Sequence, residues 1–240
     1  MPEYLDTVVS YAQNLLSDRP RDVLGGRGVS DDQIDLFRIG YLNGRLPELE
    51  GAAPFLKWAN TQDRLDDVFV LPLTNALGEI LGVQFRHVDQ NRKGYMTYIE
   101  GNGEPVLFGL GQAVDSIWRT GKIFLVEGGF DLFPVQRVLT YTVATLTARV
   151  TTSFARFLKR CVHQVYLGYD LDATGRSASA QIKKKMGSEF DIQIITYPQV
   201  MMLEGKVAKD PGDIWEAWGD TRFREFLLST QEMFNATSIR

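Results

Sequence analysis

Between residues 122 and 195 four short apolar runs alternate with segments of helical periodicity, and no other feature of this 240-residue chain restricts its fold so tightly. Residues 122–126, 142–146, 164–169 and 192–195 read as buried strands; residues 131–139, 153–160 and 175–186 read as the helices between them. Pro134 falls in the first turn of its helix, where a missing N–H is tolerated. Strands joined through helices pair in parallel, and a parallel sheet must be covered on both faces. The expectation is an α/β fold, with any active residues at the carboxyl ends of the strands.

The flanking sequence has a different texture. Leu5, Val8, Val9, Ala12, Leu15 and Leu16 recur at helical spacing, and Ser30 with Gln33 forms a capping-box pattern opening a second helix. Residues 68–71 and 80–85 read as a β-hairpin turned at residues 75–78. Glycines in 101–104 and 109–111 mark a loop-rich passage, and residues 215–228 read as one or two amphipathic helices. The division expected is an α+β lobe over 1–119, an α/β domain over 120–200 and a helical segment over 201–240.

Composition narrows the function classes. Apolar residues make up 44% and charged residues 23%, ordinary globular values that exclude a fibre or a disordered tail. No apolar stretch approaches the roughly 20 residues of a membrane-spanning helix, and the amino terminus carries Glu3 and Asp6 where a signal peptide would be basic, so the expectation is a cytoplasmic chain without membrane contact. One cysteine and two histidines provide no zinc-binding set. Net charge is −4, but residues 120–200 hold 10 Lys and Arg against 6 Asp and Glu, whereas residues 1–119 hold 11 against 17. A chain acidic overall is not a strong non-specific duplex binder, although a local basic groove fits the distribution.

Three acidic clusters fall at or after the expected strand ends: Glu127 with Asp131, Asp170 with Asp172, and Asp210 with Asp213. Each alone reads equally as a helix cap or loop turn. Together, carboxylates at corresponding ends of one sheet repel unless a hard cation sits among them, and magnesium or manganese with phosphate chemistry is the natural match.

These clusters resemble the Toprim domain of DnaG-like primases, topoisomerases and some nucleases: Glu127-Gly128 after a first strand, Asp170-Leu171-Asp172 after a later one with Gly175-Arg176 behind it, then Asp210-Pro211-Gly212-Asp213. The primase branch is the closer likeness. Val126-Glu127-Gly128 leading to Asp131, and Thr145-Leu146-Thr147, resemble its motifs. Upstream, Arg27-Gly28-Val29-Ser30, Phe37-Arg38-Ile39-Gly40-Tyr41, Leu71-Pro72-Leu73, Gly78 with Ile80-Leu81-Gly82, and Arg86 resemble those of its amino-terminal lobe.

The resemblance implies a DNA primase catalytic core of the kind a phage or mobile element carries, synthesising short RNA primers on single-stranded DNA from ribonucleoside triphosphates by two-metal nucleotidyl transfer. It implies Asp170 and Asp172 as ligands of Mg2+ or Mn2+, Glu127 as ligand or acid/base, and Asp210 completing the metal surface, with Asp131 and Asp213 as supporting acids. Arg27, Arg86, Lys93, Tyr95 and Arg176 would contact template and nucleotide. A replicative helicase and a separate zinc-binding module are the implied partners. Lys93 stands one position from the family's lysine, and Gly212 replaces an expected aspartate. Two alternatives stand beside this reading. A primase-like subunit would bind nucleic acid or a replisome partner without synthesis. Asp170-Leu171-Asp172-Ala173-Thr174 also resembles the nucleophile motif of haloacid-dehalogenase-type phosphatases, with Asp170 as nucleophile and Lys206 or Lys209 as supporting cation.

Overall fold

The computed structural model describes residues 3–237 apart from 45, 47, 63–64, 90, 93, 101–104, 147–150 and 203–204. The chain divides into two compact units, Met1–Gln112 and Ala113–Arg240.

The first unit opens with helices α1 (Glu3–Asn14), α2 (Asp18–Gly26) and α3 (Asp31–Leu36), followed by β1 (Gly40–Leu42) and α4 (Ala53–Ala59). Strands β2 (Val68–Thr74), β3 (Ile80–His87) and β4 (Tyr95–Ile99) complete an antiparallel sheet of order β1-β2-β3-β4. Leu5, Val8, Val9 and Ala12 of α1 are fully buried in one core with Val68, Val70, Val83 and Phe85 of the sheet. At the start of α3 the Ser30 hydroxyl accepts from the Gln33 N–H at 3.3 Å, and the Gln33 side chain accepts from the Ser30 N–H at 3.2 Å. That is the reciprocal cap expected from the sequence.

Helix α5 (Leu110–Thr120) leads into the second unit, which alternates β5 (Lys122–Val126), α6 (Leu132–Gln136), β6 (Thr142–Ala144), α7 (Thr152–Cys161), β7 (Gln164–Leu167), α8 (Ala173–Met186) and β8 (Asp191–Ile194) before α9 (Pro211–Thr237). Its four strands are all parallel, in the order β6-β5-β7-β8, as an α/β reading requires. From β5 the chain moves to one side to form β6, then crosses to the other side for β7. A topological switch point therefore lies between the carboxyl ends of β5 and β7, where open α/β sheets bind ligands.

Several elements differ from the sequence expectation. The helix expected over 131–139 is the short α6, and Val138 and Leu139 follow in a turn that returns the chain to the sheet. The passage at 109–111 is where α5 begins: Gly109 takes a left-handed φ of 83°, and the Gly111 N–H donates to the Thr74 hydroxyl at 3.0 Å. The helical segment after 215 is longer than expected, running from Pro211 to Thr237 with a break at Gly219 (φ 72°, ψ 174°). Residues 101–104 and Thr147 lie outside the described residues.

Candidate active site

Pairing at the switch point continues past the formal strand ends, since the Gly168 N–H donates to the Leu125 carbonyl at 2.8 Å. Glu127 is thereby delivered just beyond β5, and Asp170 just beyond β7. Behind them, the Thr145 backbone N–H donates to the Val126 carbonyl at 3.0 Å, and the Thr145 hydroxyl lies 3.2 Å from that carbonyl and 3.0 Å from the Tyr169 hydroxyl. One side chain from the end of β6 thus ties together the three strand ends that present the site. The first turn of α8 closes over the Asp170 backbone at Gly175, where any Cβ would collide with the Asp170 carbonyl.

The six acids differ in what they are doing. Asp172 is exposed and caps α8, accepting from the Gly175 N–H at 2.8 Å. Asp131 accepts from the Gly128 N–H at 3.1 Å, Asp210 from the Asp213 N–H at 2.7 Å and Asp213 from the Lys209 N–H at 3.0 Å. The Asp131 and Asp210 carboxyls also hydrogen-bond to each other. Four of the acids therefore do the capping and turn-making that acids often do at loops. Glu127 and Asp170 do not: Glu127 Oε2 and Asp170 Oδ1 are buried with no hydrogen-bond partner among the described residues. Buried polar atoms are ordinarily satisfied, so an orphaned carboxylate oxygen on each of two facing strand ends calls for a ligand.

Electrostatics separates the same two residues. Burial, then the charges of Asp210, Glu127 and Asp172, push Asp170 up to about 7 against the opposing pull of Lys209. Glu127 is raised by burial and then by Asp172. Asp210 is also raised, by burial first, with the Asp213 amide opposing. Desolvation and mutual repulsion both disfavour charge here, and a cation reverses both effects. Among the described residues no group of three or more His, Cys, Asp or Glu forms a ready-made metal cage. Magnesium commonly uses only one or two carboxylates and completes its shell with water and phosphate oxygens, so an open pair with unsatisfied oxygens fits it.

Arg176 folds back on the site's own loop, where its guanidinium donates to the Leu171 carbonyl. In the first unit, Arg27 donates to the Val88 carbonyl at 2.7 Å and lies over the Phe69 ring, 5.5 Å from its centroid. Burial and then the like charge of Arg86 lower Arg27 to about 10. Arg86 lies over the ring of Tyr95, its cross-strand partner on β4, at 5.4 Å. Arg27 is thus a half-buried, anchored cation rather than a freely solvated one, and the two arginines stand close enough to repel. Lys93 lies outside the described residues. Sequence reasoning missed the supporting tyrosines. Tyr169 and the fully buried Tyr197 are both held far toward the neutral phenol by burial, and Tyr197 donates to the Gly168 carbonyl at 3.4 Å. The only clue to Tyr169 was its place immediately before Asp170.

Comparison with known proteins shows what this geometry is similar to. The Toprim-like domain family matches residues 124–211, which contain all six acids except Asp213. A DNA primase of Deinococcus radiodurans is 26% identical over 249 residues, covering 91% of this chain and 41% of the relative. Residues 124–211 of this chain are thus similar to the Toprim-like family, and the chain over most of its length is similar to bacterial DNA primases. A primase of Clostridium acetobutylicum is 29% identical, covering 82% of this chain and 35% of its own length. Among solved structures, a DnaG catalytic core matches with a TM-score of 0.75 at 20% identity, covering 95% of this chain and 79% of that one. A DnaG primase catalytic domain bound to single-stranded DNA matches with a TM-score of 0.68 at 19% identity, covering 95% and 77%. The chain spans about two fifths of the length of the Deinococcus primase. The Toprim relationship accounts for Glu127 as well as Asp170, whereas the phosphatase reading accounted for Asp170 alone. Among the described residues no helix is long and apolar enough to cross a membrane.

Proposed function

We propose that this chain is a primase catalytic core that joins ribonucleotides into short RNA primers on a single-stranded DNA template. The observation that carries the reading is the pair of orphaned, mutually repelling carboxylates, Glu127 and Asp170, at the switch point of a Toprim-like sheet. Asp170 and Asp172 would hold Mg2+ or Mn2+, with Asp210 completing the charged surface and Asp131 and Asp213 fixing the loops that carry it. When bound, such ions neutralise phosphate charge and lower the pKa of the attacking 3′-hydroxyl. Glu127, whose carboxyl burial and then Asp172 raise, would take that hydroxyl's proton. Arg27 and Arg86 offer cations for template or nucleotide phosphates, and the exposed Tyr95 ring offers a stacking face. Lys93 and Arg176 would add to the same contacts. A functional division at 1–119, 120–200 and 201–240 goes with these roles, as do a cytoplasmic setting and recruitment by a helicase or a separate zinc-binding module.

The test is primer synthesis with purified protein, mixed single-stranded templates, labelled ribonucleotides and magnesium or manganese, with Glu127→Gln and Asp170→Asn alongside. Short template-dependent products lost in both variants are expected. Products that persist in both variants refute the assigned centre. Silence of the wild type, even with candidate zinc-module and helicase partners, would favour a binding subunit that does not synthesise.

A further inference from the structure

At the amino ends of β5 and β7, on the edge of the second sheet opposite Glu127 and Asp170, the structure has an open hollow of about 420 Å³. Its walls include Trp118 and Arg119 from the end of α5, Lys159, Arg160 and Cys161 from the end of α7, and His163 before β7. The backbone of the walls is fixed by the sheet itself: His163 N–H donates to the Gly121 carbonyl at 2.9 Å, and its ring lies over Gly121, where a Cβ would push the ring aside.

Charge in this unit is polarised along the strands. Glu127, Asp131, Asp170 and Asp172 occupy the carboxyl edge beside Arg176 and Lys209, whereas Arg119, Lys122, Lys159, Arg160 and the run Lys183, Lys184 and Lys185 outnumber Glu189 and Asp191 at the amino edge. Cations at helix carboxyl ends ordinarily complement the helix dipole, and that alone would make no site. Three observations go further. Lys159 is paired with Glu189 at 2.8 Å, but Arg119 and Arg160 have no ion-pair partner among the described residues. Both are exposed. Beside them Trp118, a residue usually well covered, is 59% exposed at the hollow's wall.

We propose that this hollow is a second binding site for single-stranded nucleic acid, with Arg119 and Arg160 on backbone phosphates and Trp118 stacking on a base. Flat indole and guanidinium faces beside a concave basic surface are what a single strand needs, since every base has a face to stack and every linkage a charge to neutralise. An acidic peptide would use the cations but has no base to lay on the exposed indole. The site stands on its own geometry and does not depend on whether the opposite edge synthesises primers.

Binding of a fluorescently labelled oligothymidylate, followed by anisotropy over a series of KCl concentrations, tests this in the full chain carrying Arg86→Gln and Tyr95→Ala, which removes contacts proposed for the template at the first site. Trp118→Ala is expected to weaken binding about tenfold. Arg119→Gln combined with Arg160→Gln is expected to weaken it and to flatten the salt slope by about 0.7 for each phosphate no longer neutralised. Equal thermal midpoints will show that these surface variants remain folded. An oligonucleotide carrying 5-iododeoxyuridine is expected to cross-link to the peptide containing Trp118. Unchanged affinity and salt slope in the double arginine variant would overturn the proposal. So would a loss of poly-glutamate binding with oligonucleotide binding retained, which would assign the hollow to an acidic peptide.

Discussion

Replacing Asp170 by Asn should make the metal-free protein more stable at pH 8. The folded chain raises this carboxyl from 3.8 to about 7, first by burial and then by the charges of Asp210, Glu127 and Asp172. A group raised in this way binds more protons folded than unfolded, so its contribution to stability is complete below about pH 4 and is lost as pH climbs through 7. At full strength a rise of that size corresponds to about 4 kcal/mol. The carboxyl is only partly buried, and solvent screening reduces this to about 2 kcal/mol. Asn has nearly the same shape and no charge to desolvate. Urea unfolding in EDTA at pH 4, 5, 6, 7 and 8 should show wild-type stability falling with pH relative to the variant, with the variant ahead by about 2 kcal/mol at pH 8 and nearly level at pH 4. Parallel pH dependences, or a variant less stable than wild type at pH 8, would refute the claim that Asp170 is held against its own charge.

Two further outcomes follow from the packing behind the site. In Gly168→Ala the new methyl would collide with the Phe124 ring and the Tyr197 hydroxyl, so a loss of about 1–3 kcal/mol is expected, read as a lower melting temperature by calorimetry. In Thr145→Val the buried Tyr169 hydroxyl loses its partner, and a cost of about 1–3 kcal/mol in urea unfolding is expected, with Thr145→Ser restoring most of it.

The parallel sheet was legible in the sequence because β5, β6 and β7 are buried on both faces and read as short continuous apolar runs between helical segments. The hairpin of β2 and β3 and the Ser30 cap were legible for equally local reasons: a turn between two short apolar runs, and a hydroxyl at a fixed offset from a glutamine. Strand β4 was not, because Tyr95, Met96, Thr97 and Tyr98 are only partly covered and carry no strong period. Helix α5 was hidden by Gly109 and Gly111, which read as loop punctuation until Gly109 is seen turning the chain and Gly111 packing against Gly78. At the site, all six acids could be found from their spacing along the chain. Their division of labour could not, since whether an aspartate caps a loop or stands unsatisfied depends on backbone donors brought by other residues. The approach of Arg27 to Arg86 depends on folding that joins positions far apart in sequence, and no local pattern reports it.

Every catalytic role given to this edge of the sheet depends on Asp170 and its neighbours holding a divalent cation, and a manganese titration followed by electron paramagnetic resonance tests that most directly. The wild type should deplete the free Mn2+ signal and release the ion when magnesium is added in excess. Asp170→Asn should lose most of that binding, while Arg160→Gln, at the opposite edge of the same sheet, should keep it. Equal Mn2+ binding by wild type and Asp170→Asn would contradict the account.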